Sequence, residues 1–393
     1  MHPTFQRLMR EATRLTSAGQ LRAATAAIQR ALRGGAARTP STTATTATTL
    51  PMAATAAAAA APSSAPTPAS WGEQDAIVLD GCVADVPEHA RPLEPVAGEG
   101  AFIDGSHTHA ALTRRYKLYV PAAPASRPPA LVVMLHGCTQ DPDDFAAGTG
   151  MNERAREQGF LVLYPAQAQN ANPSRCWNWF KHNHQGRNGG EAAVIASMTQ
   201  AVMRERGVDP ARVYIAGLSA GGAMAALVAA AYPDLYAAVG VHSGLAPGAA
   251  RSLPEGLAAM RAGAGAPIAL AGQGGPGLRV PAIVFHGDRD ATVHPKNGDQ
   301  VIAAVLASTP QLQAGCARQP LVEEGVSLQG QRYTRTVHGT DAGPALAELW
   351  VLHGAGHAWS GGQAAGSYTD PQGPDASSEM LRFFFRHAAH GGH

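Results

Sequence analysis

Seven short apolar runs set the frame of this chain: Tyr116 to Val120, Leu131 to Leu135, Phe160 to Tyr164, Val213 to Ala216, Ala237 to Val241, Ala282 to Phe285 and Leu349 to Leu352. Each is rich in β-branched and aromatic residues, and helix-like stretches lie between most of them. Strands that are apolar almost throughout must be covered on both faces. The pattern therefore predicts an α/β fold, a mostly parallel central sheet with helices on both sides, and a ligand site just beyond the carboxyl ends of its strands.

The residues ahead of this frame read differently. Phe5, Leu8, Met9, Ala12 and Leu15, then Leu21, Ala24, Ile28 and Leu32, repeat at helical spacing on either side of Gly19. They predict a helical hairpin over 1–35. Six arginines and one acid make it basic, so its polar face is either simply solvated or suited to contact with an anionic surface. Residues 36–70 collapse to Ala, Thr, Ser and Pro with a single arginine near the start, a composition that cannot bury enough apolar surface to stay ordered, and read as a linker. Residues 71–100 show no clear period and form an irregular lead-in, which leaves 101–393 as the main α/β domain. With 30 basic and 29 acidic side chains the net charge is +1, which gives no reason to expect nucleic acid as a partner. No run is long and apolar enough for a transmembrane segment. The N-terminus also lacks the apolar stretch of a signal peptide.

Chemistry is concentrated at Gly217-Leu218-Ser219-Ala220-Gly221, directly after the run Val213-Tyr214-Ile215-Ala216 and before an Ala-rich helical run to Ala231. A sharp strand-to-helix turn of this kind lifts a serine hydroxyl above the sheet, and the flanking glycines let two backbones approach. Ser219 is thus the candidate nucleophile. A serine hydroxyl needs a base and an acid to orient that base, expected later in the chain in the order Ser, acid, His. Ala282-Ile283-Val284-Phe285 runs into His286-Gly287-Asp288-Arg289-Asp290, and Asp290 is the choice for the acid. Asp288 is the alternative; its ordinary task would be to hold the turn through its own backbone. His286 reads as structural. The run ending at Leu352 leads to His353-Gly354-Ala355-Gly356-His357, and His357, on the Gly-rich loop, is the candidate base. The backbone amides of Ala220 and Cys138, the latter in His136-Gly137-Cys138-Thr139-Gln140, are the candidate oxyanion donors.

These residues resemble the poly(3-hydroxybutyrate) depolymerase family of esterases, within the α/β-hydrolase fold. The likeness runs from about Tyr116 to His387. It takes in Leu135-His136-Gly137-Cys138-Thr139-Gln140, Ser174-Arg175-Cys176-Trp177-Asn178-Trp179-Phe180, the turn at Ser219, Gly356-His357-Ala358-Trp359-Ser360-Gly361-Gly362 and Ser367-Tyr368-Thr369-Asp370-Pro371. The resemblance implies a Ser219, Asp290, His357 triad and an oxyanion hole at Cys138 and Ala220. It also implies hydrolysis of short 3-hydroxyacid polyesters or oligomers, or, as in wider relatives, of feruloyl or acetyl esters of plant polysaccharides. It makes Trp177 and Trp179 an apolar substrate wall unless both fill core, adds Gln140 and Trp359 as substrate-binding candidates, and suggests a Cys138–Cys176 disulfide. Cys82 and Cys316 are left without an assigned pairing. No metal or organic cofactor is required by such a triad.

Family members are typically extracellular. The absent signal peptide, and the absent C-terminal polymer-binding module that many secreted members carry, point instead toward soluble oligomers or an unusual location. A reading from another class, a non-catalytic binder of polyester surfaces, is the weakest, because all three triad positions hold competent residue types.

Overall fold

The computed structural model describes residues 98–122, 127–187, 189–265, 277–309, 318–340 and 343–389. The expected hairpin, the linker and nearly all of the lead-in lie outside them, as do Cys82 and Cys316.

Ten strands form one sheet: β1 (Ala101–His109), β2 (Leu112–Val120), β3 (Leu131–Leu135), β4 (Leu161–Pro165), β5 (Val213–Leu218), β6 (Ala238–His242), β7 (Ala282–Gly287), β8 (Leu321–Val326), β9 (Arg332–His338) and β10 (Ala347–Leu352). Their order is β1-β2-β4-β3-β5-β6-β7-β10-β9-β8. The middle strands from β4 to β10 run parallel, and antiparallel hairpins, β1–β2 and β8–β9, flank them. This is the mostly parallel α/β sheet that the apolar runs predict, and it agrees with the α/β-hydrolase fold that the resemblance implies. A separate short pair, β11 (Trp359–Ser360) and β12 (Thr369–Asp370), lies after β10.

Helices α1 (Pro142–Thr149), α2 (Met151–Gln158), α3 (Gly190–Arg206), α4 (Ala220–Ala231), α5 (Leu253–Ala262), α6 (Lys296–Ser308) and α7 (Ala376–Phe384) cover the sheet. Strand alternation shows how. In β3, Leu131, Val133 and Leu135 join one core with side chains of α3, α4, α5 and α6, while Val132 and Met134 join a second core with α1, α2 and α7. Side chains of successive strand residues point to opposite faces, so a strand buried on both sides has no polar positions to spare.

β1 and the β8–β9 hairpin escape the apolar-run criterion because they are edge elements. β8 reads Leu-Val-Glu-Glu-Gly-Val and is exposed along almost its whole length, and β1 alternates polar and half-buried residues. The Cys176 to Trp179 segment is irregular chain. Among the described residues, no helix is long and apolar enough to cross a membrane.

Candidate active site

The parallel strands deliver four loops to one end of the sheet. At the end of β5, Ser219 has φ 58° and ψ −119°, a region that a non-glycine residue occupies only under constraint, at a cost on the order of 1–3 kcal/mol. The constraint is visible. A Cβ on Gly221 would lie 2.0 Å from the Leu135 carbonyl oxygen, and one on Gly217 would lie 2.4 Å from the Gly221 carbonyl carbon, so the turn closes only with glycine at both places. The Ser219 N–H donates to the His242 carbonyl (2.8 Å) at the end of β6, which pins the turn to the neighbouring strand. Ala220 opens α4, and a first-turn amide has no acceptor within its own helix.

The loop after β3 packs against this turn: a Cβ on Gly137 would lie 3.7 Å from Ser219 Cβ. Gly137 N–H donates to Gln140 Oε1 (2.9 Å) and Thr139 N–H donates to the Ser174 carbonyl (2.7 Å), so both amides flanking Cys138 are held while neither bond engages the Cys138 amide itself. The disulfide Cys138–Cys176 is present, with Cα atoms 4.2 Å apart. His136, buried just before the loop, has its Nδ1 2.7 Å from the Gly137 carbonyl and accepts from the Gln167 N–H at Nε2 (3.1 Å). Burial lowers it to about 4, so the ring is neutral and carries its proton on Nδ1.

The acid and base loops meet beyond β7 and β10. Asp290 Oδ2 lies 2.7 Å from His357 Nδ1, and Oδ1 accepts from the Thr292 and Val293 amides (2.9 and 2.8 Å). Burial pushes this carboxyl up, but hydrogen bonds from His286 and His357, the charge of His357 and the Val293 amide outweigh it and hold Asp290 well below the usual carboxylate range. A carboxylate at Nδ1 fixes the proton there, leaving Nε2 as the acceptor. Asp288 does not hold its own turn, as the alternative had it. Its two oxygens take the His353 Nδ1 (3.0 Å) and the Gly354 N–H (2.7 Å), while Asp290 itself makes the local turn through Thr292. Two parallel Asp–His pairs therefore join the loops, the inner one buried and the outer one partly exposed. Gly287 permits the close approach, since a Cβ there would lie 2.4 Å from the Ala355 carbonyl oxygen.

The structure places the substrate-binding candidates in the interior. Trp177 is fully buried and donates its indole N–H to the His136 carbonyl (3.1 Å), and Trp359 is buried with its N–H on Ser377 Oγ (3.1 Å). Gln140, 2% exposed, spends its amide on Gly137, Asp144 and Ser367. These three are buried and engaged in holding the loops from within. Trp179 is 5% exposed and packs edge-on against Phe180.

Sequence reasoning missed His242. It is buried, lowered to about 3 by burial, stacked between Phe285 and Trp359, and its Nε2 accepts the Ser360 N–H (3.0 Å). It thereby links the Ser219 turn to the chain that follows His357. A histidine ending a fully apolar strand next to the serine-bearing strand was the available signal.

A profile of the esterase PHB depolymerase family matches residues 114–325, more than half of the chain. This chain belongs to that family. Its relatives include the poly(3-hydroxyalkanoate) depolymerase C of Paucimonas lemoignei, 32% identical over 247 residues, which are 61% of this chain and 57% of that one. Feruloyl esterase B of Neurospora crassa is 28% identical over 285 residues, 69% of this chain and 87% of that one, and acetylxylan esterase A of Emericella nidulans is 31% identical over 197 residues, 46% and 63%. The match thus spans less than two thirds of the depolymerase and of the acetylxylan esterase. The solved acetyl xylan esterase from Aspergillus awamori shares the fold of this chain, with a TM-score of 0.53 and 21% identity over 69% of this chain and 94% of that one.

Proposed function

We propose that this member of the PHB depolymerase family hydrolyses the ester bonds of poly(3-hydroxybutyrate)-type polyesters or their oligomers through an acyl-enzyme. The observation that carries the chemistry is the buried Asp290–His357 contact of 2.7 Å, on loops at the same end of the sheet as a serine held on a constrained turn.

His357 Nε2 takes the Ser219 proton as Oγ attacks the ester carbonyl carbon. The carbonyl oxygen becomes an oxyanion that accepts from the amides of Cys138 and Ala220, the second at the positive end of α4. Collapse breaks the bond to the leaving alkoxide, which takes the proton from His357 and departs as the hydroxyl end of the next unit. Water then repeats the sequence: its proton goes to His357, its oxygen attacks the acyl carbon, and the free acid leaves Ser219 protonated again. Asp290 stays ionised throughout and supports the imidazolium.

The depolymerase relative supports the polyester substrate. A second reading, a feruloyl or acetylxylan esterase with the same machinery, is favoured by the match to 87% of the feruloyl esterase. The test measures 3-hydroxybutyrate released from polymer film and from soluble oligomers, beside p-nitrophenyl butyrate and methyl ferulate, with Ser219→Ala as control. Release from film or oligomer supports the first reading, release from ferulate alone moves the substrate to the second, and an unimpaired Ser219→Ala enzyme refutes both.

A further inference from the structure

One large aromatic side chain on the rim of the site is left open to solvent. Tyr368 is 47% exposed, whereas every tryptophan that the sequence offered as a substrate wall is buried. Its chain segment bridges the two halves of the site. On one side the preceding Ser367 donates its N–H to Asp144 Oδ1 (2.8 Å) and accepts from Gln140 Nε2 (3.0 Å), beside the Cys138 loop. On the other side the Tyr368 carbonyl accepts the Trp359 N–H (2.7 Å), two residues after His357.

Two further observations fix the ring. Tyr368 has φ 52°, a left-handed conformation that costs a bulky residue energy and persists only where the surroundings impose it. Its hydroxyl lies 3.2 Å from Thr139 Oγ1, which itself donates to the Cys138 carbonyl (2.6 Å). Thr139 is also left-handed, at φ 66°. With the threonine proton spent on Cys138, the tyrosine hydroxyl is the donor to Thr139. An aromatic ring anchored at its polar end and open over its body offers a pre-oriented apolar surface at little entropic cost.

We propose that the Tyr368 ring is a specificity-determining surface of this site, contacting the methyl-bearing 3-hydroxyacid unit next to the scissile ester. The inference rests on the polyester reading above. Its contact lies beyond the ester itself, so it adds binding to an extended substrate and nothing to a minimal one. The hydroxyl tether orients the ring, and the ring supplies the contact.

The experiment compares the parent enzyme with Tyr368→Ala and Tyr368→Phe on 3-hydroxybutyrate trimer and on p-nitrophenyl acetate. Tyr368→Ala should lower kcat/KM on trimer about tenfold or more, mainly through KM, because binding shared by ground and transition states is what is removed, and should leave p-nitrophenyl acetate within about twofold. Tyr368→Phe, which keeps the ring, should stay within about threefold on trimer. Equal losses on both substrates in Tyr368→Ala overturn the inference, since they mean that the residue acts on the Cys138 loop or on folding. So do equal trimer losses in the two variants, which assign the effect to the hydroxyl. If the parent leaves trimer intact but cleaves methyl ferulate, the polyester reading fails alone; the same variants on ferulate then decide whether the ring contacts substrate, and a loss no larger than on p-nitrophenyl acetate overturns that too.

Discussion

Breaking the Cys138–Cys176 bridge separates what the covalent link does for stability from what it does for chemistry. The bridge closes a loop of 38 residues, for which the chain-entropy relation gives about 4 kcal/mol at 25 °C. For a domain of about 290 residues that corresponds to a fall in Tm of about 6–7 °C. Loss of one oxyanion donor would cost about 10²–10³ in kcat. Here, however, the peptides on either side of the Cys138 amide are also held by Gln140 Oε1 and by the Ser174 carbonyl. The Cys176→Ala enzyme should therefore lose most of the 4 kcal/mol in stability and keep kcat on p-nitrophenyl butyrate within about tenfold of the parent. Thermal unfolding with and without reductant, and steady-state kinetics well below the lowered midpoint, measure the two effects. Coincident melts with and without reductant would refute the constraint argument. A hundredfold fall in kcat from a variant of parental stability would refute the claim that the two hydrogen bonds suffice to hold the loop.

The two Asp–His pairs should respond in opposite ways: Asp290→Asn should lower kcat about 10⁴-fold through loss of the correct histidine tautomer, whereas Asp288→Asn, in a partly exposed pair, should change kcat less than about threefold and stability by less than about 1 kcal/mol. Comparable losses in the two would show that the inner pair has no special role. Gly221→Ala should fail to fold or unfold at a much lower temperature, because its Cβ would sit 2.0 Å from a backbone oxygen that cannot move without breaking β3; a parental melt contradicts this. Acidification should destabilise the protein. His136 and His242 are lowered to about 4 and about 3 from 6.5, so below pH 6.5 the unfolded chain binds protons that the native state refuses, and each costs about 1.4 kcal/mol per pH unit down to its native value. Asp290, held low, adds to the loss once the pH falls through the carboxylate range. Unfolding free energies that are flat between pH 6.5 and 4.5 would contradict the buried, neutral state of both rings.

The parts legible from the chain alone were those whose signal is local. All seven apolar runs became strands because burial on both faces leaves a period-free apolar signature, and the triad candidates stood where strand ends meet glycine-bearing loops. The same locality explains the misses. β8 and β9 carry Glu323, Glu324, Arg332 and Arg335 because an edge hairpin faces water, so nothing apolar announces them. The structural partners of Gln140 were not legible because Ser367 lies 227 residues away, and a side chain committed to so distant a partner looks free in sequence. Trp177 and Trp179 were open to two readings, wall or core, and the burial of both, with the Trp177 indole on the His136 carbonyl and Trp179 against Phe180, is visible only in the tertiary structure.

Behind the Cys138 loop, Glu191 is wholly buried and held to about 2, where burial, which raises it, is outweighed by hydrogen bonds from His184, Gln167 and Asn178. It takes the Asn178 N–H and side-chain amide (both 2.7 Å), Gln167 Nε2 (2.6 Å) and, from β2, Arg114 Nη2 (3.3 Å). An ion stripped of water by four separate stretches of chain is stable only when all of them have arrived, and any partial assembly leaves a bare charge in an apolar setting. The full set of partners forms only once Arg114, 77 residues away along the chain, has docked beside the carboxylate. This end of the sheet should consolidate late and open as one cooperative unit, with the Asn178 amide exchanging its hydrogen only when that whole unit unfolds.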